Sequence, residues 1–163
     1  MRTRPYATAI AVFDEVELLD VTGPLSVLSG AGRQWNFQPF KIDLVAKRAG
    51  TITTRSALSL AATHGAESQL DCECLIIPGG YGARQAAKDA QFLAWLTRAA
   101  SEAQLVAAIG NGVWLLAQSG LLSQEEVAAS PDLAAELSVL CPSVRANSRA
   151  ALCSSGKFLS ASK

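Results

Sequence analysis

Three short runs, apolar but for Thr8, constrain this chain most: ATAIAVF at 7–13, CLII at 74–77 and LVAAI at 105–109. A strand with one wet face alternates apolar and polar residues, whereas a strand covered on both faces reads as a continuous apolar run. Between the runs lie segments of helical character. Pro24 suits a first helical turn and Gly30 a helix end, which predicts a short helix over 24–29 after an acidic connection from Asp14 to Asp20. Asp89 is placed to cap a helix whose Phe92, Leu93, Leu96 and Ala100 share one face. Gly110-Asn111-Gly112 opens another through Val113, Leu115 and Leu116, with Gly120 as its stop, and Ser130-Pro131 opens a third carrying Leu133, Leu137 and Leu140. FKIDLVA at 40–46 alternates as a strand; 51–54 and 57–60 suggest a hairpin, and 150–161 two strands joined at Ser155-Gly156. Apolar strands alternating with helices predict one α/β domain with a mostly parallel sheet covered on both faces.

Composition supports a packed domain and removes several function classes. The chain has 163 residues, half of them apolar and 17% charged, which suits a single domain with a real core. Lys+Arg and Asp+Glu both number 14, so the formal charge is zero and nucleic-acid binding by this chain alone is not expected. No run approaches the roughly 18 apolar residues of a membrane span. The short basic stretch Met1 to Tyr6 lacks a signal peptide's long apolar region, so the expectation is a cytoplasmic protein without membrane contact. With one histidine and four cysteines, and only one residue between Cys72 and Cys74, no metal-ligand spacing appears and no metal is expected. The cysteines, Cys141 and Cys153 included, read as free thiols packed as small hydrophobes, and His64 as an exposed loop residue.

In an open parallel sheet, ligands bind beyond the carboxyl ends of the strands. Three such ends stand out: Glu17 and Asp20 after the first strand, Pro78-Gly79-Gly80-Tyr81-Gly82 after CLII, and Gly110-Asn111-Gly112 after LVAAI. Glycines there let backbone approach a ligand and expose N–H donors, although they can equally serve tight turns. Gly110-x-Gly112 does not complete a dinucleotide fingerprint, because Leu115 stands where the third glycine belongs, and no Gly-Lys-Ser/Thr closes a phosphate loop. No cofactor is expected. Glu17 reads as a solvated loop charge, Ser130 as an N-cap, and Trp95 and Trp114 as packing residues.

The stretch from Phe13 to Pro24 (FDEVELLDVTGP), the segment LIIPGGYG at 75–82 and LVAAIGNGVWLLAQSGLL at 105–122 occur in an order that resembles the ThiJ/PfpI superfamily. The nearest branch is that of isonitrile hydratases and the N-terminal domains of AraC-type transcription regulators. The resemblance covers about residues 7 to 160 and implies a flavodoxin-like, glutamine-amidotransferase-like sandwich. Active members carry a nucleophilic cysteine at the turn after the 105–109 strand, where the alignment places Gly110, followed by Asn111 where threonine is frequent. A histidine-containing stretch of active members is matched by Ala128-Ala129-Ser130-Pro131. Asp20 matches the branch's acidic residue beside the elbow; it can serve as a ligand acceptor or general base, or simply brace its helix. Relatives continue past the residues matching Phe158–Lys163 into a long covering helix, so the expectation is a chain cut or shortened there, or a domain that manages without that helix.

What the resemblance and its departures imply is a non-catalytic or weakly active ThiJ/PfpI-like domain spanning 1–163, in effect a pseudoenzyme. It would bind a small metabolite at Asp20, Gly79, Gly80, Gly110 and Asn111, as the sensor part of an AraC-type regulator. Two alternatives stay open: a thiol-independent hydratase or lyase working through Asp20, and a homodimeric interaction protein without a ligand. The partners expected are a small-molecule ligand and a second copy of the chain in a homodimer.

Overall fold

The computed structural model describes residues 4–32 and 37–162; Met1–Thr3 of the basic N-terminal stretch and Lys163 lie outside them. The first half runs β1 (Tyr6–Ala11), α1 (Leu18–Gly30), β2 (Phe40–Ala46), β3 (Gly50–Thr53), β4 (Ser59–Ala62), β5 (His64–Gly65) and β6 (Cys74–Ile77). The second runs α2 (Ala83–Ala86), α3 (Ala90–Glu102), β7 (Leu105–Ile109), α4 (Gly112–Gln118), β8 (Glu126–Ala128), α5 (Pro131–Leu140), β9 (Arg145–Asn147), β10 (Leu152–Ser155) and β11 (Phe158–Ala161). Seven strands form the main sheet in the order β10-β11-β7-β6-β1-β2-β5. All neighbours pair in parallel except β10 and β11, whose antiparallel register sets Cys153 opposite Ser160. The apolar runs explain the centre: Ile10, Leu75, Ile77 and Val106 on β1, β6 and β7 are fully buried.

The chain steps from β1 to β2 in one direction and from β6 through β7 to β11 in the other. Because parallel crossovers are right-handed, α1 covers one face while α3 and α4 cover the opposite one. The reversal lies between β1 and β6, so their carboxyl ends open the crevice where ligands bind in such sheets. The mostly parallel sheet expected from the apolar runs, and the flavodoxin-like sandwich that the resemblance implies, are the architecture observed. Among the described residues, no helix is long and apolar enough to cross a membrane.

Two helices start as their capping residues predict. The Asp89 carboxylate accepts the Phe92 N–H at 2.8 Å ahead of α3, and the Ser130 hydroxyl accepts that of Leu133 at 3.4 Å ahead of α5. The hairpin β3–β4 and the tail strands β10–β11 also fall where expected. Helix α1 does not: it begins at Leu18, six residues before the predicted start, with Pro24 inside it. Proline removes the bond that residue 24 would donate to the carbonyl of Asp20 and crowds that carbonyl, while burial of Asp20 and Val21 holds the turn that the acidic sequence disguised. His64 sits not in a free loop but on β5, which pairs with the end of β2; its Nδ1 lies 3.1 Å from Thr63 Oγ1 and 3.6 Å from the Asp43 carboxylate. Strands of two or three residues, such as β5, β8 and β9, are too short for any periodicity and exist through their pairing alone.

Candidate functional site

At the end of β7 the chain turns through Gly110, whose N–H donates to the Ala161 carbonyl at 2.8 Å and whose φ is +55°. That left-handed conformation costs an L-residue roughly 1–2 kcal/mol and glycine almost nothing. Asn111 stands at the N-cap position of α4 without capping it. Its amide instead grips the Gly80 peptide from both sides: Oδ1 accepts the Gly80 N–H at 2.7 Å and Nδ2 donates to the Gly80 carbonyl at 2.8 Å. Gly112 follows, buried so tightly beneath the end of β6 that a Cβ would fall inside contact distance of the Ile77 carbonyl oxygen and 2.8 Å from that of Pro78.

The loop after β6 is held from its other side by the loop after β1. Asp20 reaches across from α1, and its Oδ2 accepts the Gly79 N–H at 3.0 Å. Glu17 N–H donates to the Gly79 carbonyl at 2.9 Å, and Val16 and Gly80 form an antiparallel bridge. Gly79 lets the parts meet: a Cβ there would lie 2.7 Å from Asn111 Oδ1, 2.9 Å from the Ile109 carbonyl oxygen and 3.1 Å from Asp20 Oδ2. Asp20 is only 6% exposed, so it faces the Gly79 backbone rather than solvent.

Above this junction lies a cavity of about 310 Å³. Gly80, Gly110 and Asn111 form part of its wall, while Asp20 and Gly79 lie one layer behind. The pocket expected from five residues is therefore two layers: three wall residues, and a buried pair that fixes them. Glu17, expected as a solvated charge, is half-buried in the wall, and Ser130 lines the cavity as well as capping α5. Arg55, Tyr81 and Leu133 complete the lining and were not anticipated. Tyr81 lies within the 78–82 motif and could have been read there. Arg55 carried no signal, because it arrives from the β3–β4 hairpin, where its guanidinium stacks 3.7 Å from the Tyr81 ring centroid and its Nη2 donates to Tyr81 Oη at 2.7 Å. The wall thus offers one carboxylate, one guanidinium, two hydroxyls and an amide, a set suited to a small polar molecule held by directed hydrogen bonds. Trp95 packs in the core against Phe92, with centroids 5.7 Å apart, and Trp114 lies beneath the Arg84 guanidinium; neither reaches this cavity.

None of the four cysteines, all free, lines the cavity. Burial pushes the Cys72 thiol up from 9.0 to about 12, and burial also raises Cys74 and Cys153. A raised thiol favours the folded state until the unfolded chain begins to ionise. Cys72 therefore contributes its full stability below pH 9.0, and loses it as the pH climbs toward about 12. At neutral pH, iodoacetamide is expected to modify the native protein only slowly, since the thiolate is the reacting form. Rapid, stoichiometric labelling of a single cysteine, read by mass spectrometry, would contradict this. Among the described residues no group of three or more His, Cys, Asp or Glu side chains is placed to hold a metal ion.

Residues 7–160 match the model of the DJ-1/PfpI family. Among characterised proteins, the chain is 29% identical over 111 residues to an isonitrile hydratase of Pseudomonas putida, which covers 68% of this chain and 46% of the hydratase. The chain thus spans about half the length of that relative. The fold is shared with a ThiJ/PfpI family protein of Pseudomonas syringae (TM-score 0.83, 20% identity, 98% of this chain and 63% of that one). It is shared also with an AraC family transcriptional regulator of Pseudomonas putida (TM-score 0.77, 21% identity, 98% of this chain and 84% of that one). At these identities the structural likeness establishes the fold alone. The match over nearly the whole described sheet, with the ordered turns after β1, β6 and β7, places this chain in the DJ-1/PfpI family.

Proposed function

We propose that the domain binds a small polar metabolite in the cavity above Gly80, Gly110 and Asn111, with little or no catalysis, and serves as the sensor part of an AraC-type regulator. The observation that carries this reading is the elbow itself: a left-handed turn filled by glycine, facing a polar cavity that no cysteine lines. If Gly110 stands where active relatives carry their nucleophile, the replacement keeps the turn and removes the thiolate that covalent chemistry requires. The wall still supplies Glu17 and Arg55, opposite charges suited to a small molecule bearing both a donor-rich and an acceptor-rich end. Similarity in fold to an AraC family regulator supports the sensor role; similarity to an isonitrile hydratase keeps a thiol-independent hydratase in view. Against the hydratase, Asp20 spends an oxygen on the Gly79 N–H and lies behind the cavity wall.

The test is a thermal-shift screen of small amino acids, betaines, amides and organic acids, with isonitrile turnover measured in parallel. A ligand at one hundred times its Kd should add about 2.7 kcal/mol, and Arg55→Ala should abolish the gain. Turnover of small isonitriles that vanishes in Asp20→Ala would favour the hydratase. No shift with any compound, and no turnover, would leave the domain as an interaction protein.

A further inference from the structure

A larger cavity of about 560 Å³, with Asp14 and Gly82 in its lining, opens at the carboxyl ends of β1 and β2. Its floor is apolar, built from Phe13 after β1, Ile52 on β3 and Phe92 on α3, with the two phenyl rings edge-to-face at 6.4 Å. Its rim is basic: Lys47 and Arg48 follow β2, and Lys88 precedes α3. Two carboxylates also face this cavity, but both are engaged. Asp14 Oδ1 accepts the Thr53 N–H at 2.8 Å, while Asp89 caps α3 and pairs with Lys47. Arg48 and Lys88 have no ion-pair partner among the described residues.

We infer that this cavity is a second ligand site, taking an organic carboxylate whose apolar body lies over Phe13, Ile52 and Phe92 while its carboxylate meets Arg48 and Lys88. Its volume falls in the ordinary range for small-molecule sites, and an apolar floor with a few charges at one edge is their usual chemistry. A guanidinium and an ammonium lining one cavity suit a carboxylate, with Arg48 able to bond both oxygens. A compact inorganic anion would leave the floor unused. This site is separate from the cavity above Gly110 and does not depend on the function proposed for that cavity.

The experiment titrates 2-naphthoate into the ¹⁵N-labelled protein and follows backbone amides, with inorganic phosphate as the control anion. Saturable shifts are expected at Thr51, Gly82 and Gln85. The double variant Arg48→Glu/Lys88→Glu should weaken binding by about tenfold or more, since each tenfold corresponds to one modest charge contact. Thr51→Trp, which fills the cavity from an exposed position of β3 without altering charge, should abolish binding while the melting temperature stays near that of the parent. The inference is overturned by absence of saturation at millimolar naphthoate, or by shifts confined to Gly80, Gly110 and Asn111. Equal binding of phosphate overturns it too, as does unchanged affinity in both variants.

Discussion

Gly112→Ala is expected to destabilise the domain by about 3 kcal/mol or more, the upper part of the range for overpacking a core. The added methyl would meet the carbonyl oxygens of Ile77 and Pro78, backbone atoms at the buried end of β6 that no side-chain rotation can move aside. Either α4 shifts away from the sheet or β6 does. For a chain of this length each kcal/mol lowers the melting temperature by about 2–4 °C, so a fall of about 6–12 °C should appear in a thermal melt. The same displacement pulls Asn111 from the Gly80 peptide, so ligand-induced stabilisation should shrink even where the protein remains folded. A variant melting within about 2 °C of the parent would mean that α4 is less firmly seated than this geometry requires.

Asp20→Ala should cost about 1–3 kcal/mol, because it leaves the Gly79 N–H buried without this acceptor. Asp20→Asn keeps an oxygen in the same place and should recover most of the loss, which denaturant unfolding of the three proteins can resolve. The pair also separates a positioning role from a direct one. If Asp20 only holds Gly79, ligand affinity in Asp20→Asn should match the parent. If the carboxylate itself meets the ligand or activates water, affinity or turnover should fall sharply in Asp20→Asn while stability stays near that of the parent.

The central sheet was legible because β1, β6 and β7 are apolar on both faces, a pattern that only double coverage explains. Helices α3 and α5 were legible from Asp89 and from Ser130-Pro131, which act through neighbours in sequence. Helix α1 was half-hidden, since its first turn carries a buried acid and its middle a proline, two features that local propensity counts against a helix. The glycines of the site could be located, but not sorted into wall and support. Gly79 and Gly80 are adjacent, and only the approach of Asp20 to one and Asn111 to the other assigns their roles. Arg55 was out of reach altogether: it is 26 residues from Tyr81, and the hairpin's docking alone brings them together.

The loops after β1 and β6, joined where Val16 pairs with Gly80, contribute to both cavities: Asp14 and Gly82 line the larger, Glu17, Gly80 and Tyr81 the smaller. The two loops are tightly apposed: Gly80 has φ +143° and no room for a side chain beside the Glu15 carbonyl, and Gly82 abuts that of Asp14. Loops apposed in this way cannot shift at one cavity without disturbing the lining of the other. Any molecule that displaces them at one cavity therefore changes the work of filling the other, and thermodynamic reciprocity makes the two effects equal in free energy. The loops that serve both spaces are thus also what would make them answer to one another.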